Sequence, residues 1–160
     1  MKKNIWKHSD LSTLLTELKG KKIVLAGGCF DLIHYGHFSF LQNAKKEGDV
    51  VIIALESDEF IQSSKKRKPV HNHKQRAEIL ANLEMVDHVI LLPLFTSDKD
   101  YEDLVLTIKP AVIAVTSGDS QIEKKKKYAE LIDADVKVVS SLLPEFSTTN
   151  IITYEDISRS

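Results

Sequence analysis

The stretch Gly27-Gly28-Cys29-Phe30-Asp31-Leu32-Ile33-His34-Tyr35-Gly36-His37 decides how this chain is read. It follows Lys22–Ala26, a short run with the Val, Leu and Ile content of a buried strand, and it leads into Gly36–Glu47, which reads as a helix. Glycines at a strand-to-helix turn let backbone approach a phosphate. The free N–H groups and the dipole at the helix start favour an anion there. The stretch is therefore a phosphate site by position. It is neither a Walker loop, since no Gly-Lys-Ser/Thr follows, nor the dinucleotide GxGxxG fingerprint.

Outward from this turn, short apolar runs alternate with helix-length amphipathic stretches, the pattern of successive βαβ units. Five strands are expected, at Lys22–Ala26, Val50–Leu55, His88–Leu92, Val112–Thr116 and Val136–Val139. Helices are expected at Gly36–Glu47, Asn72–Leu83, Lys99–Ile108 and Ile122–Asp133, with Ile79, Leu80 and Leu83 at three- and four-residue spacing. A leading helix, Leu11–Leu18, starts after a Ser9/Asp10 cap, and a closing helix follows Ser147, around Asn150–Ile157. The fold expected is α/β: a Rossmann-like, doubly wound, five-stranded parallel sheet with helices on both faces. One domain fills residues 1–160, a leading helical segment to residue 20 and an α/β core over 21–157.

The chain has 160 residues, 42% hydrophobic and 28% charged, which suits one soluble globular domain and excludes a disordered or fibrous protein. Lys plus Arg is 22 against 23 Asp plus Glu, a net charge of −1, so global charge gives no case for nucleic acid or membrane as a partner. An anionic ligand must be held by local charge. The single cysteine, Cys29, allows no internal disulfide, and no apolar run reaches the length of a membrane span, so a cytoplasmic location is expected.

His34 and His37 stand three apart, which lets both imidazoles face one pocket at the mouth of the helix. Phosphoryl and nucleotidyl transfer need donors aimed at the charge that develops at phosphorus, and imidazole suits that role. A zinc site would want three or four ligands, and none completes this pair, so no protein-bound metal is expected. Two charge runs stand apart from the helical pattern. Lys65-Lys66-Arg67-Lys68 reads as a functional loop, because it leaves the carboxyl end of a strand, where open α/β sheets bind ligands. Lys124–Lys127 reads as a solvated helix face.

Gly28-Cys29-Phe30-Asp31-x-x-His34-x-Gly36-His37 resembles the signature of the cytidylyltransferase-like nucleotidyltransferases. Six fixed positions in a chain this long would arise by chance with a frequency on the order of 10⁻⁶. The resemblance extends over about Lys22 to Ile152, with further matches at Asn72–Leu80, Gly118-Asp119 and Ser147-Thr148-Thr149. It implies that Gly28, Cys29, Phe30, Asp31, His34, Gly36 and His37 cradle a triphosphate, and that Gly118, Asp119, Ser147, Thr148 and Thr149 complete the nucleotide site. It also implies that Arg76 lies near the phosphates and that Lys65 or Lys66 meets the acceptor's phosphate. Mg²⁺ would accompany the nucleotide.

Within the family the sequence looks most like the adenylyltransferase domain acting on heptose 1-phosphate, although Gly27 stands where that group usually has Asn and Thr116-Ser117-Gly118-Asp119 replaces its Lys-Gly-Gly-Asp. The expected partners are ATP or CTP and a phosphorylated small molecule, and a homodimer would suit the resemblance. Transfer to glycerol 3-phosphate from CTP, and a non-catalytic nucleotide-binding protein, are the two alternatives. On local grounds Asp31 could instead cap the following turn, Arg76 could be an ion-paired surface residue, and Ser147–Thr149 could cap a helix. Cys29 reads as a small buried neighbour of the turn, because no activating base stands at catalytic spacing.

Overall fold

The computed structural model describes residues 4–141 and 151–152. Among the described residues six strands form one parallel sheet in the order β1-β4-β3-β2-β5-β6. They are β1 Ile5–Lys7, β2 Ile23–Gly28, β3 Val50–Leu55, β4 His88–Leu91, β5 Val112–Thr116 and β6 Asp135–Ser140. Among the described residues the helices between them are α1 Leu11–Glu17, α2 Tyr35–Lys45, α3 Asp58–Lys65, α4 His73–Leu80, α5 Asp98–Ile108 and α6 Ile122–Glu130.

Strand residues alternate between two cores, one on each face of the sheet. Val24, Ala26, Val51 and Ile53 pack with Phe40, Leu41 and Ala44 of α2 and with Ala77 and Leu80 of α4. Leu25, Ile52 and Ile113 face the other way, onto Leu14 of α1, Leu104, Val105 and Ile108 of α5, and Tyr128 and Ala129 of α6. Because both faces are covered, the central strands read as unbroken apolar runs, with β3 buried along its whole length. Each fully buried Leu or Ile contributes about 1.5–3 kcal/mol relative to exposure.

The count of five strands is corrected to six. Ile5, Trp6 and Lys7 pair with Val89, Ile90 and Leu91, and the Trp6 indole Nε1 donates to His88 Nδ1 at 3.1 Å. The leading segment is therefore a strand of the sheet followed by a helix. Asp10 stands at the N-cap of α1 without a side-chain hydrogen bond to the helix, and Ser9 Oγ donates to Asp10 Oδ1 instead. The expected loop after β3 begins as α3, capped by Ser57, whose Oγ accepts from Phe60 N at 3.1 Å. Helix α4 is capped by a reciprocal pair in which Asn72 and Gln75 each accept a backbone N–H of the other. Of the expected closing helix only residues 151–152 are described, and both are helical.

The α2–β3 turn depends on Gly48. Lys22 O accepts from Asp49 N at 2.8 Å and from Val50 N at 3.2 Å, and a Cβ on Gly48 would lie 2.6 Å from that same carbonyl oxygen.

Chain connectivity reverses between β2 and β5. Helix α2, after β2, packs on one face, and helix α6, after β5, packs on the other. Open α/β sheets have their ligand crevice at such a point, outside the carboxyl ends of the strands.

Candidate functional site

Strand β2 ends on Gly28, and a Cβ there would come within 3.0 Å of the Phe30 ring. Phe30 itself holds φ at +44°, a left-handed conformation that is strained for a residue with a side chain. Its ring is buried and lies 5.0 Å, centroid to centroid, from the ring of His37. The turn thus folds back on itself before α2 begins.

His34 is the N-cap of α2, and its Nδ1 accepts from the His37 backbone N–H at 3.4 Å. That bond puts the neutral ring's proton on Nε2, so His34 offers a donor without being charged. The two imidazoles stack, with centroids 3.8 Å apart and 21° between planes. Burial, with a smaller effect of His34 beside it, lowers the His37 pKa to about 4, against a hydrogen bond with the Leu32 backbone that favours the charged form. Burial lowers that of His34 too. Nδ1 of His37 is buried and has no hydrogen-bond partner among the described residues.

Asp31 orders the wall opposite. It is 2% exposed; Oδ1 accepts from Val70 N at 2.8 Å and His71 N at 3.1 Å, and Oδ2 pairs with Arg67. Arg76 is fully buried. Its guanidinium donates to the carbonyls of Cys29 (2.6 Å), Glu56 (2.9 Å) and His71 (3.1 Å) and pairs with Asp58 at 2.7 Å. It ties the glycine turn, the end of β3, the start of α3 and the loop before α4 together. His73 Nε2 lies 3.0 Å from Leu55 O, in the same cluster.

A cavity of about 1120 Å³ opens at the carboxyl ends of the central strands. Gly28, Cys29, Phe30, Asp31, His34, Gly36, His37, Lys65 and Asp119 all line it. Lys66, Arg76 and Gly118 are not among its lining residues. Lys66 is the left-handed cap of α3, with φ +56°, and turns the chain away, while Gly118 supplies the turn before Asp119 at φ +76°. Ser147, Thr148 and Thr149 lie outside the described residues. Burial raises the Cys29 thiol, which stays protonated, as suits a packing residue.

Glu56 and Tyr101, which the sequence did not single out, also line the cavity, as do Lys124 and Lys125 of the second charge run. Glu56, just after β3, and Tyr101, in the first turn of α5, share a hydrogen bond of 2.9 Å. Lys125 pairs with Asp119 at 2.6 Å, and Lys124, paired with Asp98 at 2.8 Å, stands beside it. The expectation that Lys124–Lys127 is a solvated helix face is thus modified at Lys125, which is half-buried in its pair with Asp119, while Lys124 stays exposed. Among the described residues, ion pairing inside the cavity occupies Arg67, Lys124 and Lys125, and leaves Lys65 and Glu56 without an ion pair, although the charges of Arg76 and Lys125 still act on Glu56.

Among the described residues no three His, Cys, Asp or Glu side chains gather into a metal-holding group, and no helix is long and apolar enough to cross a membrane.

The sequence model of the family described as cytidylyltransferase-like matches residues 25–158. The chain is 39% identical over 156 residues to the bifunctional protein HldE of Helicobacter hepaticus, covering 96% of this chain and 30% of that protein. It is 40% identical over 134 residues to the bifunctional protein HldE of Aliarcobacter butzleri, covering 83% and 26%. The chain therefore spans less than a third of these curated relatives. In fold it is similar to a lipopolysaccharide core biosynthesis protein from Thermoplasma volcanium, with a TM-score of 0.60 at 25% identity over 78% of this chain and 98% of that one. It also superposes on the pantoate-beta-alanine ligase of Francisella tularensis, with a TM-score of 0.63 at 18% identity over 98% and 78%.

Proposed function

We propose, from the premise that this chain belongs to the cytidylyltransferase-like family, that it transfers AMP from ATP to a sugar 1-phosphate, heptose 1-phosphate being the acceptor that the sequence resemblance implies, with release of pyrophosphate. The observation that carries this reading is the stacked His34–His37 pair at the start of α2, directly beside the glycine turn that ends β2. Here an oxygen of the acceptor's phosphate attacks the α-phosphorus in line, and the bond from that phosphorus to the bridging oxygen of the β-phosphate breaks. The acceptor oxygen is already anionic, so no strong base is needed.

Backbone N–H groups of the turn and of the start of α2 hold the triphosphate, His34 Nε2–H and His37 stabilise the charge that moves onto pyrophosphate, and Lys65 meets the acceptor's phosphate. Asp119 and the segment Ser147–Thr149 serve the nucleotide. Mg²⁺ enters as part of the nucleotide substrate, shielding its phosphate charge, and the protein offers it no cluster of its own among the described residues. Arg76 acts from below, holding the Cys29 and Glu56 carbonyls in place. The whole described chain works as one nucleotidyl-transfer unit in the cytoplasm.

Pyrophosphate release by the purified chain tests this, with ATP or CTP offered against heptose 1-phosphate and glycerol 3-phosphate. Turnover with ATP and the sugar phosphate is the expected result. Turnover only with CTP and glycerol 3-phosphate would replace it with cytidylyl transfer, and nucleotide binding without turnover on any acceptor would mark a non-catalytic binding protein.

A further inference from the structure

Glu56 occupies the first position after β3, and its backbone is fixed on both sides. Its N–H donates to Gly28 O at 3.0 Å, and its carbonyl accepts from Arg76 at 2.9 Å. Its side chain is 7% exposed and lines the cavity. Oε1 accepts from the Tyr101 hydroxyl, whereas Oε2 is buried with no hydrogen-bond partner among the described residues. Tyr101 is itself held by the edge-on ring of Phe95, 5.0 Å away at 89°, and both rings line the same cavity.

A buried carboxylate oxygen without a donor is destabilising, and native structures keep few such groups without a use. Phosphate cannot supply the donor, because two anions would face each other in a site of low dielectric. In a ligand whose charge is its phosphate, the group that satisfies Glu56 therefore belongs to the uncharged part. Lys65, the cation of the cavity wall without an ion pair among the described residues, suits the anionic end of that ligand. One wall thus fits a phosphate, and another, flanked by two aromatic rings, fits an O–H group on a carbon frame.

We propose that Glu56, oriented by Tyr101, is a specificity-determining residue of the acceptor subsite, accepting a hydrogen bond from a hydroxyl of a polyhydroxylated phosphate ester bound with its phosphate toward Lys65. This rests on the nucleotidyl-transfer reading above and adds to it the feature by which the acceptor's sugar frame is told from less hydroxylated phosphates. Burial raises the Glu56 pKa, in keeping with a carboxyl group that lies against apolar surface until a ligand reaches it. Tyr101 is a positioning residue: it acts through Glu56.

The test uses the full chain and its variants Glu56→Met, which removes both acceptor oxygens, Glu56→Gln, which keeps one, and Tyr101→Phe. Kinetics are measured with ATP, heptose 1-phosphate and a set of analogues each lacking one hydroxyl. In the wild type one analogue should lose about 10- to 100-fold in kcat/KM, the effect of one hydrogen bond to a charged group. Glu56→Met should show that loss with the parent sugar and no further loss with that analogue, at an unchanged KM for ATP. Glu56→Gln should recover part of the loss, and Tyr101→Phe should have no effect on a Glu56→Met background. Without ligand, Glu56→Met should melt no lower than the wild type, because it removes an unsatisfied buried group.

A wild-type enzyme that turns over heptose 1-phosphate, paired with a Glu56→Met variant of equal kcat/KM, overturns this proposal and leaves the nucleotidyl-transfer reading standing. If the wild type turns over no sugar phosphate, that reading fails, and calorimetric titration with heptose 1-phosphate then decides the subsite. Binding weakened in Glu56→Met supports it; equal binding or no binding overturns it.

Discussion

The imidazole of His34 lies flat on that of His37, 3.8 Å away, and the same His34 caps the helix that carries His37. Two rings so close cannot both be charged at modest cost, and burial lowers the pKa of each. In the proposed transfer, replacing His37 by Ala removes a donor used chiefly as pyrophosphate departs. Turnover should fall by about 10²- to 10⁴-fold with a smaller change in the KM for ATP. Pyrophosphate release by a folded His37→Ala protein at the wild-type rate would remove this pair from the chemistry.

The same pair sets a pH dependence. His37 titrates near 4 in the fold against an ordinary value of 6.5, so the unfolded chain binds the proton first. Its contribution to stability is complete above pH 6.5 and is lost as pH falls toward 4. Glu56, with a raised pKa, contributes in the opposite sense, its penalty easing as pH falls. Thermal melts of the ligand-free protein at pH 7 and pH 5 should show a loss of stability that is smaller in His37→Gln. Triphosphate beside the rings favours their charged forms, so ATP binding at pH 6 should take up protons, read from calorimetry in buffers of differing ionisation enthalpy.

Lys65 lines the cavity and Lys66 does not. Lys65→Ala should raise the acceptor's KM by about 10-fold or more, at about 1.5–3 kcal/mol for a lost charged hydrogen bond, with the KM for ATP nearly unchanged. Lys66→Ala should leave both constants as they are. Equal effects of the two substitutions in steady-state kinetics would show that the charge of the run acts as a diffuse field.

Arg76 is fully buried and serves four protein acceptors. Arg76→Ala leaves three carbonyls and Asp58 without their donor and should cost about 3–5 kcal/mol in denaturant unfolding. Arg76→Lys should recover little, since one ammonium cannot span the four acceptors that a guanidinium fork reaches.

Gly48→Ala would set a methyl 2.6 Å from Lys22 O, a backbone atom that cannot step aside. The turn must open, at a cost of about 1–3 kcal/mol, visible as a lower denaturation midpoint with unchanged kinetic constants. A midpoint equal to the wild type would mean that the α2–β3 turn relaxes freely.

The glycine turn that ends β2 was legible because its residues do local work: Gly28 admits the Phe30 ring, and the His34–His37 spacing is one helical turn. Strand β1 was not, since Ile5-Trp6-Lys7 is too short for an alternation and draws its stability from β4, more than eighty residues away. Helix α3 escaped for a related reason. Ile61 is its one buried residue, so it shows no apolar stripe, and the charge run at its end looked like a loop. Arg76 stood out through its motif, yet a motif gives no indication of whether a guanidinium faces a ligand or the protein. Glu56 carried one usable signal: it is the first polar residue after a wholly apolar strand, at the sheet end where ligands bind.

Because α2 and α6 leave neighbouring strands toward opposite faces, the hollow between β2 and β5 owes its existence to the path of the backbone and not to any side chain on its rim. Under the proposed function its occupant can therefore be renegotiated residue by residue: exchanging Glu56 or Lys65 would alter what is bound, while the hollow itself is inherited with the winding order. Such a scaffold separates the evolution of selectivity from the upkeep of the fold.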